Sequence, residues 1–99
     1  MYTRIERRKT NPDTIQQVRE RAEKEFFSPL QASDGFVGFY VVNDQEQGEH
    51  AVIMVWNTKE QGEAFLSTQS EWMKVPEEMG QMLISLNSGD TMVDLGPNR

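Results

Sequence analysis

The chain has 99 residues, a formal net charge of −6, one histidine and no cysteine. Disulfides, thiolate metal sites and cysteine nucleophiles are therefore excluded, and so is a multi-histidine metal site within one chain. A chain of this length buries only about two-thirds of the surface that it exposes when unfolded. We therefore expect one domain over residues 1–99, with a thin core over about residues 2–95.

The charge pattern argues against nucleic acid and membranes as partners. Binding to phosphate groups draws on lysine and arginine, whereas acidic residues outnumber basic ones by 16 to 10. A basic patch near the N-terminus comprises Arg4, Arg7, Arg8 and Lys9, but Glu6 lies among them, so we predict a solvated face of mixed charge. No stretch reaches the roughly 20 apolar residues of a transmembrane helix, and the N-terminus lacks the apolar core of a secretory signal. We expect a soluble, cytoplasmic protein.

The N-terminal third predicts a strand followed by a helix. Loose alternation over residues 2–9 favours a strand. Asn11 suits the cap of a helix that begins near residue 12, with Pro12 at its first position. Pro29 ends this helix or breaks its last turn. Apolar residues at spacings of three and four predict one narrow buried stripe, made of Ile15, Val18, Ala22 and Phe26.

The middle of the chain predicts a β-hairpin. Two apolar runs, "GFVGFYVV" and "AVIMVW", flank the polar, glycine-containing "NDQEQGEH". Gly38 lies inside the first run, where glycine loses side-chain packing and usually marks a bulge or a close approach to the backbone. We expect that Gly38 lets a partner sheet or a helix come close, or leaves room for a ligand near Tyr40 and Trp56.

The C-terminal half predicts a second helix, two short helical turns and a strand. Thr58 and Gln61 form a capping box for the helix, which Gly62 weakens by about 1 kcal/mol relative to alanine. Pro76 is expected to separate two helical turns within residues 67–88. The last strand is predicted at residues 90–96, "DTMVDLG", bounded by Gly89 and Pro97.

The order of these elements predicts an α+β fold of the ferredoxin-like βαββαβ type, a four-stranded antiparallel sheet with both helices on one face. In both hairpin strands the two alternating sets of residues are apolar, so both faces of the sheet should be buried. The helices cover only one face. Because twofold homodimers are the commonest assembly, we expect a homodimer joined sheet to sheet.

The hairpin and second helix resemble the antibiotic biosynthesis monooxygenase (ABM) family of dimeric α/β barrels. The resemblance covers about residues 34–73 well and the remainder by element order. Its pattern is Gly-Phe, a second glycine two residues on, a strand ending in tryptophan, and a Thr- or Ser-capped helix with Glu, Ala and an aromatic residue. Here these residues are Gly35, Phe36, Gly38, Trp56, Thr58, Glu60, Ala64 and Phe65.

The resemblance implies a pocket between the sheet and its helices and a dimer formed by packing two sheets. Members include cofactor-independent monooxygenases that oxidise polycyclic aromatic phenols, and haem-degrading enzymes. The haem-degrading branch uses an asparagine on the first strand and a tryptophan and a histidine on the second helix. Arg7, Phe65 and Val75 stand at those places here. We therefore expect neither haem nor another cofactor, and no metal.

The candidate ligand-binding residues are aromatic or small residues of the hairpin and helices. Trp56 and Trp72 either stack on a ligand or anchor the core, and Met54 either fills the core or lines an adaptable pocket. His50, beside the hairpin turn, is expected to be exposed or paired across strands rather than to act as a general base. The full set of substrate-binding candidates is Phe36, Gly38, Tyr40, Met54, Trp56, Phe65 and Trp72.

Two functions fit the sequence, and it identifies no catalytic residue. The first is an ABM-like monooxygenase acting on a small apolar or aromatic molecule, cofactor-independent because the substrate itself reacts with O₂. The second is a non-catalytic dimeric module that binds a small molecule or another partner. The absence of a convincing general base, metal site or cofactor motif favours the second over any named reaction.

Overall fold

A computed structural model describes residues 1–96 of the chain. Four antiparallel strands form one sheet in the order β2-β3-β1-β4, which confirms the predicted ferredoxin-like arrangement. The strands are β1 (Tyr2–Lys9), β2 (Phe36–Asp44), β3 (Glu49–Trp56) and β4 (Leu83–Asp90). The helices are α1 (Ile15–Glu25), α2 (Phe27–Gln31), α3 (Lys59–Ser67) and α4 (Ser70–Glu78).

The helices pack on one face of the sheet, which we call the inner face. Alternate residues of the central strands point into this layer, among them Tyr2 of β1 and Met54 and Trp56 of β3. They meet Ala22, Phe26, Leu30 and Phe65 from the helical layer, and together these residues form the buried core. No helix within residues 1–96 is both long and apolar enough to cross a membrane.

A β-bulge in β2 changes which residues share a face. Phe36 lies opposite Trp56, yet Gly38 lies opposite Val55, so the register shifts between Phe36 and Gly38. Phe36 therefore packs on the inner face with the core, while Gly38 and Tyr40 lie on the outer face. Regular alternation over residues 36–40 predicts that Phe36, Gly38 and Tyr40 share one face. This prediction is wrong, because the extra residue of a bulge reverses the alternation that follows it.

The first helix begins and ends at other residues than predicted. Asn11 does organise the entry, since its side-chain oxygen accepts from the Asp13 N–H at 3.0 Å and its carbonyl accepts from the Ile15 N–H at 3.0 Å. Regular helix nevertheless starts only at Ile15. Pro29 does not end α1, which stops before Phe26; it lies in the first turn of α2, where a missing N–H costs no intrahelical hydrogen bond.

The second predicted helix begins as the sequence indicates. The Gln61 N–H donates to the Thr58 hydroxyl, and the Thr58 N–H donates to the Gln61 side-chain oxygen, both at 3.2 Å. The capping box is therefore confirmed.

The C-terminal elements correct two predictions. Helix α4 runs through Pro76 without a break, so Pro76 does not separate two helical turns. The last strand is residues 83–90 and not 90–96, because this stretch already pairs with β1 from Arg8↔Leu83 to Tyr2↔Asp90. Beyond it, the Thr91 N–H donates to the Met1 carbonyl at 2.8 Å, and residues 91–96 form no strand. The predicted boundary at Pro97 lies outside the described residues.

The outer face of the sheet carries apolar residues that no helix within residues 1–96 covers. Tyr40 and Val42 of β2 are 55% and 54% exposed. Ile5 of β1, on the same face, is 36% exposed. Ile53 and Val55 of β3 lie beside them, opposite Ile5 and Thr3. The tail after β4 is also apolar and exposed, with Met92 95% and Leu95 90% accessible.

Candidate functional site

A cavity of about 630 Å³ lies between the inner face of the sheet and helices α1 and α4. Its wall is largely aromatic and aliphatic near the middle of the sheet, and polar toward the β2–β3 hairpin turn. The apolar wall is formed by Phe26, Phe27, Phe39, Val52, Met54 and Trp72. The polar end is formed by Glu6, Arg8, Thr10, Asn43 and His50.

Strand alternation places these side chains. In the antiparallel register Arg8 lies opposite His50, which in turn lies opposite Asn43 on β2. One step inward along the sheet, Glu6, Val52 and Val41 form a second row. Because side chains two residues apart in a strand point to the same face, both rows face the cavity.

Helix α1 supplies the opposite wall. The stripe predicted from the sequence, Ile15, Val18, Ala22 and Phe26, lines the cavity along its length. Ala22 and Phe26 are buried, but Ile15 and Val18 are only partly so. The stripe therefore borders open space over its first half instead of filling the core.

An aromatic cluster closes the inner end of the cavity. The Phe26 ring stacks on Trp72 at a centroid distance of 5.3 Å and meets the edge of Phe39 at 6.2 Å. Phe27 approaches Phe39 at 5.4 Å. Ring pairs at these distances stabilise each other beyond their area burial, so this end offers a preformed apolar surface for a flat molecule.

A chain of buried ion pairs runs beside the polar end. Glu6 accepts from the Arg4 guanidinium at 2.9 Å and also from Nε of Arg8. Arg8 donates through Nη1 to Glu77 at 2.9 Å and to the Gln81 carbonyl at 2.6 Å. Arg4, Glu6 and Arg8 are all buried. The prediction that this basic patch is a solvated face is wrong for these three residues, because they occupy the inward positions of β1.

His50 is a buried imidazole at the edge of the cavity. It is only 8% exposed, and its Nδ1 shares a 2.8 Å hydrogen bond with the Thr10 hydroxyl. Burial lowers the pKa of His50 below its ordinary value; the positive charge of Arg8 lowers it further, and Glu6 acts in the opposite direction. His50 is therefore neutral at neutral pH. Of the two expectations for His50, pairing across the strands is confirmed and exposure to solvent is wrong.

Only some of the ligand-binding candidates predicted from the sequence line the cavity. Met54 and Trp72 line the cavity. Phe36, Trp56 and Phe65 belong to the packed core or lie against it, away from the cavity lining. The buried Trp56 donates through Nε1 to the Ser33 hydroxyl at 3.1 Å, so its indole N–H already has a partner.

Gly38 and Tyr40 lie on the outer face, away from the cavity. A Cβ atom at Gly38 would lie 2.8 Å from the hydroxyl oxygen of Tyr40 and 3.0 Å from its ring. What approaches Gly38 is thus the side chain of Tyr40, two residues further along the same strand. The expectations that a helix approaches Gly38, or that Gly38 leaves room for a ligand near Trp56, are wrong because Gly38 and Trp56 lie on opposite faces.

Sequence reasoning missed Phe39, Arg8 and His50 as cavity residues. A signal for Arg8 was present, because Arg4, Glu6 and Arg8 follow Tyr2 at every second position of β1 and so share its face of the sheet. Phe39 was hidden by the bulge: Gly38 indicated a bulge as one alternative, but the sequence does not show where the register shifts. Within residues 1–96, no group of three or more histidine or carboxylate side chains is placed to hold a metal ion.

Solved structures show where else this arrangement occurs. A protein from Deinococcus radiodurans that is assigned as an antibiotic biosynthesis monooxygenase is 10% identical to this chain over 97% of each chain, with a TM-score of 0.79. A protein from Chloroflexus aurantiacus with the same assignment is 14% identical over 96% of each chain, with a TM-score of 0.72. SnoaB, a cofactor-independent oxygenase from Streptomyces nogalater, is 14% identical over 95% of each chain, with a TM-score of 0.70. No family model and no curated protein matches the chain. The chain therefore has the fold of the antibiotic biosynthesis monooxygenase structures.

Proposed function

We propose that the protein is an ABM-like monooxygenase that acts on a small apolar or aromatic molecule bound between the sheet and the helices. The cavity of about 630 Å³ carries this proposal. Ligand sites typically enclose about 300–1,000 Å³, with mostly apolar walls and a few polar groups. The fold that the chain shares with SnoaB, a cofactor-independent oxygenase, supports the choice of reaction.

The reaction needs no cofactor when the substrate itself supplies the electrons. A phenol or quinol gives up a proton, its anion reacts with O₂, and a ring C–H becomes a carbonyl. One oxygen atom enters the product, and the other leaves as water with two hydrogens taken from the substrate. The protein's part is to bind the ring, exclude water and accept a proton. A neutral imidazole such as that of His50 has the protonation state that a base requires.

Oxygen consumption tests this proposal. We expect the protein to accelerate O₂ uptake with at least one member of a panel of phenols and naphthalene diols, and ¹⁸O₂ to place one labelled atom in the product. Val52→Phe enlarges an inward residue of the cavity wall, so we expect it to weaken substrate binding by at least tenfold, about 1.4 kcal/mol. Circular dichroism and thermal unfolding check that the variant is folded.

The outcomes separate the two functions. Uptake no faster than the uncatalysed rate across the panel would contradict the monooxygenase. Binding of a panel member, seen by quenching of tryptophan fluorescence and lost in Val52→Phe, would then favour the non-catalytic binding module.

We further propose that two copies of the chain pack through the outer faces of their sheets. Exposed apolar patches mark interaction sites, and this one combines Tyr40 and Val42 with the more protected Ile53 and Val55. A twofold axis needs only one self-complementary patch. The exposed apolar tail of residues 92–95 lies on the same chain and adds surface that a second copy would cover.

Neighbouring valines on opposite faces test the dimer. Val42 is 54% and Val41 55% exposed, but Val42 lies on the outer face and Val41 lines the cavity. We expect Val42→Glu to give a monomer, because the twofold axis would bury two like charges together. Val41→Glu should remain dimeric. Size-exclusion chromatography with light scattering measures both, and a folded wild-type monomer at micromolar concentration would contradict the dimer.

A further inference from the structure

We propose that the polar end of the cavity is a subsite for one anionic oxygen of an otherwise apolar ligand, with Arg8 and His50 as its binding residues. This inference deepens the proposed function and rests on the cavity being a ligand site. It specifies which end of the ligand is charged and which side chains select it.

Two nitrogen atoms at this end are without partners in the described part of the chain. Arg8 uses Nε and Nη1 for Glu6, Glu77 and the Gln81 carbonyl, which leaves Nη2. His50 uses Nδ1 for Thr10, which leaves Nε2. Within residues 1–96, no side-chain nitrogen or oxygen is both shut off from solvent and unpartnered. Both nitrogens therefore reach open space, and the open space that these two buried residues line is the cavity.

The register brings the two residues together. Arg8 of β1 lies directly opposite His50 of β3 in an antiparallel pair, and Cβ atoms of such pairs are about 4.5–5.5 Å apart. One ligand oxygen between them can accept from Nη2 of Arg8 and, in the tautomer in which the Thr10 hydroxyl donates to Nδ1, from the Nε2–H of His50. The apolar remainder of the ligand then extends toward the ring pair Phe26 and Trp72.

The charge balance at this end favours an anion. The buried ion network beside the cavity consists of two guanidinium ions, Arg4 and Arg8, and the carboxylate of Glu6 between them. Arg8 and Glu6 line the cavity, and Arg4 lies behind Glu6. Glu77 pairs with Arg8 from the rim, where its side chain is 62% exposed and water weakens its field. The α1 residues Arg19 and Glu23, which also border the cavity, pair with each other in solvent at 3.5 Å. A neutral His50 adds no charge, so the buried excess is positive.

Naphthalene probes that differ in one group test the subsite. We expect 2-naphthoate to bind at least about tenfold more tightly than its neutral counterpart 2-naphthamide at neutral pH, as one hydrogen bond to a charged group would provide. A second pair, 2-naphthol and 2-methoxynaphthalene, separates the two sources of the oxygen. A preference for naphthoate alone assigns a carboxylate. A preference for naphthol over its methyl ether assigns an ionised hydroxyl when bound naphthol shows the absorption band of naphtholate, and the same preference without that band would contradict an anionic oxygen. Either assignment supports the proposal.

Variants assign the preference to residues. We expect Arg8→Gln to abolish the preference for naphthoate and His50→Leu to reduce it. Arg21→Gln is the matched control, because Arg21 lies on α1, pairs with Glu25 in solvent and does not line the cavity. Arg8 also holds Glu6, so should Arg8→Gln fail to fold, the wild-type comparison and His50→Leu decide the result.

The outcomes distinguish this subsite from the proposed function. Equal binding of naphthoate and naphthamide, together with equal binding of naphthol and its methyl ether, would overturn the subsite and leave the cavity as a ligand site. A preference for naphthoate that survives both Arg8→Gln and His50→Leu would overturn the assignment to these residues. Failure of all four probes to bind would overturn the subsite and the proposed function together.

Discussion

Replacement of Gly62 by valine is expected to destabilise the fold by about 3 kcal/mol, the upper part of the range for overpacked core sites. Gly62 is buried in α3. A Cβ atom there would lie 2.8 Å from Cε3 of Trp56 and 3.0 Å from Cδ2 of Tyr2. Trp56 has no exposed surface, and its indole is held by Ser33 and packed on Phe65. It cannot move aside without disturbing the core.

This expectation reverses the one drawn from helix propensity. Propensity alone predicts that replacing Gly62 by alanine stabilises α3 by about 1 kcal/mol. Contact with the two aromatic rings opposes this gain, and the larger, β-branched valine adds steric conflict. Gly62 is therefore present because α3 lies directly on the rings of Trp56 and Tyr2.

Urea denaturation at one fixed protein concentration measures the effect, since a dimer's apparent stability depends on concentration. Gly89→Val is the matched control. Gly89 lies in β4, and a Cβ atom there meets no other atom within 4 Å, while valine suits a strand. Equal denaturation midpoints for Gly62→Val and wild type would contradict the packing argument.

The sequence predicted those elements whose signals are local. The capping box of Thr58 and Gln61 depends on residues three apart, and it forms as expected. The two apolar runs around a polar turn gave the hairpin, and the order of elements gave the sheet. Each of these signals is independent of what a strand pairs with or how a helix packs.

The predictions that failed depend on contacts between distant residues. Residues 90–96 have the better strand composition, but residues 83–90 pair with β1 and satisfy its backbone. The bulge before Gly38 exchanged the two faces of β2, so the candidate site kept Met54 and Trp72 and lost Tyr40. Arginine at alternate positions of a strand usually indicates an exposed face. In β1 the face is buried, because the carboxylate of Glu6 lies between the guanidinium groups of Arg4 and Arg8.

That carboxylate provides the second large effect: Glu6→Gln is expected to destabilise the fold by about 3 kcal/mol. Glu6 accepts from both Arg4 and Arg8, and all three side chains are buried. Glutamine keeps the shape of Glu6 but removes the only buried negative charge of the three. Arg4 then stays out of water without the carboxylate that it pairs with, and Arg8 keeps only Glu77, whose side chain is 62% exposed. This costs more than the loss of an exposed pair.

Glu25→Gln is the control, because it removes the same charge from an exposed partner of Arg21 on α1, and exposed pairs contribute little to stability. We expect its denaturation midpoint to stay close to that of wild type, and Glu6→Gln to lower the midpoint whether or not salt is added, since buried pairs are poorly screened. Glu6 also fixes Nε of Arg8, so the variant should disturb ligand binding at the polar end while Glu25→Gln leaves it unchanged. Equal midpoints for the two variants would mean that water solvates Arg4 and Arg8 when Glu6 is replaced. That result would contradict the inference of a buried positive charge beside the cavity.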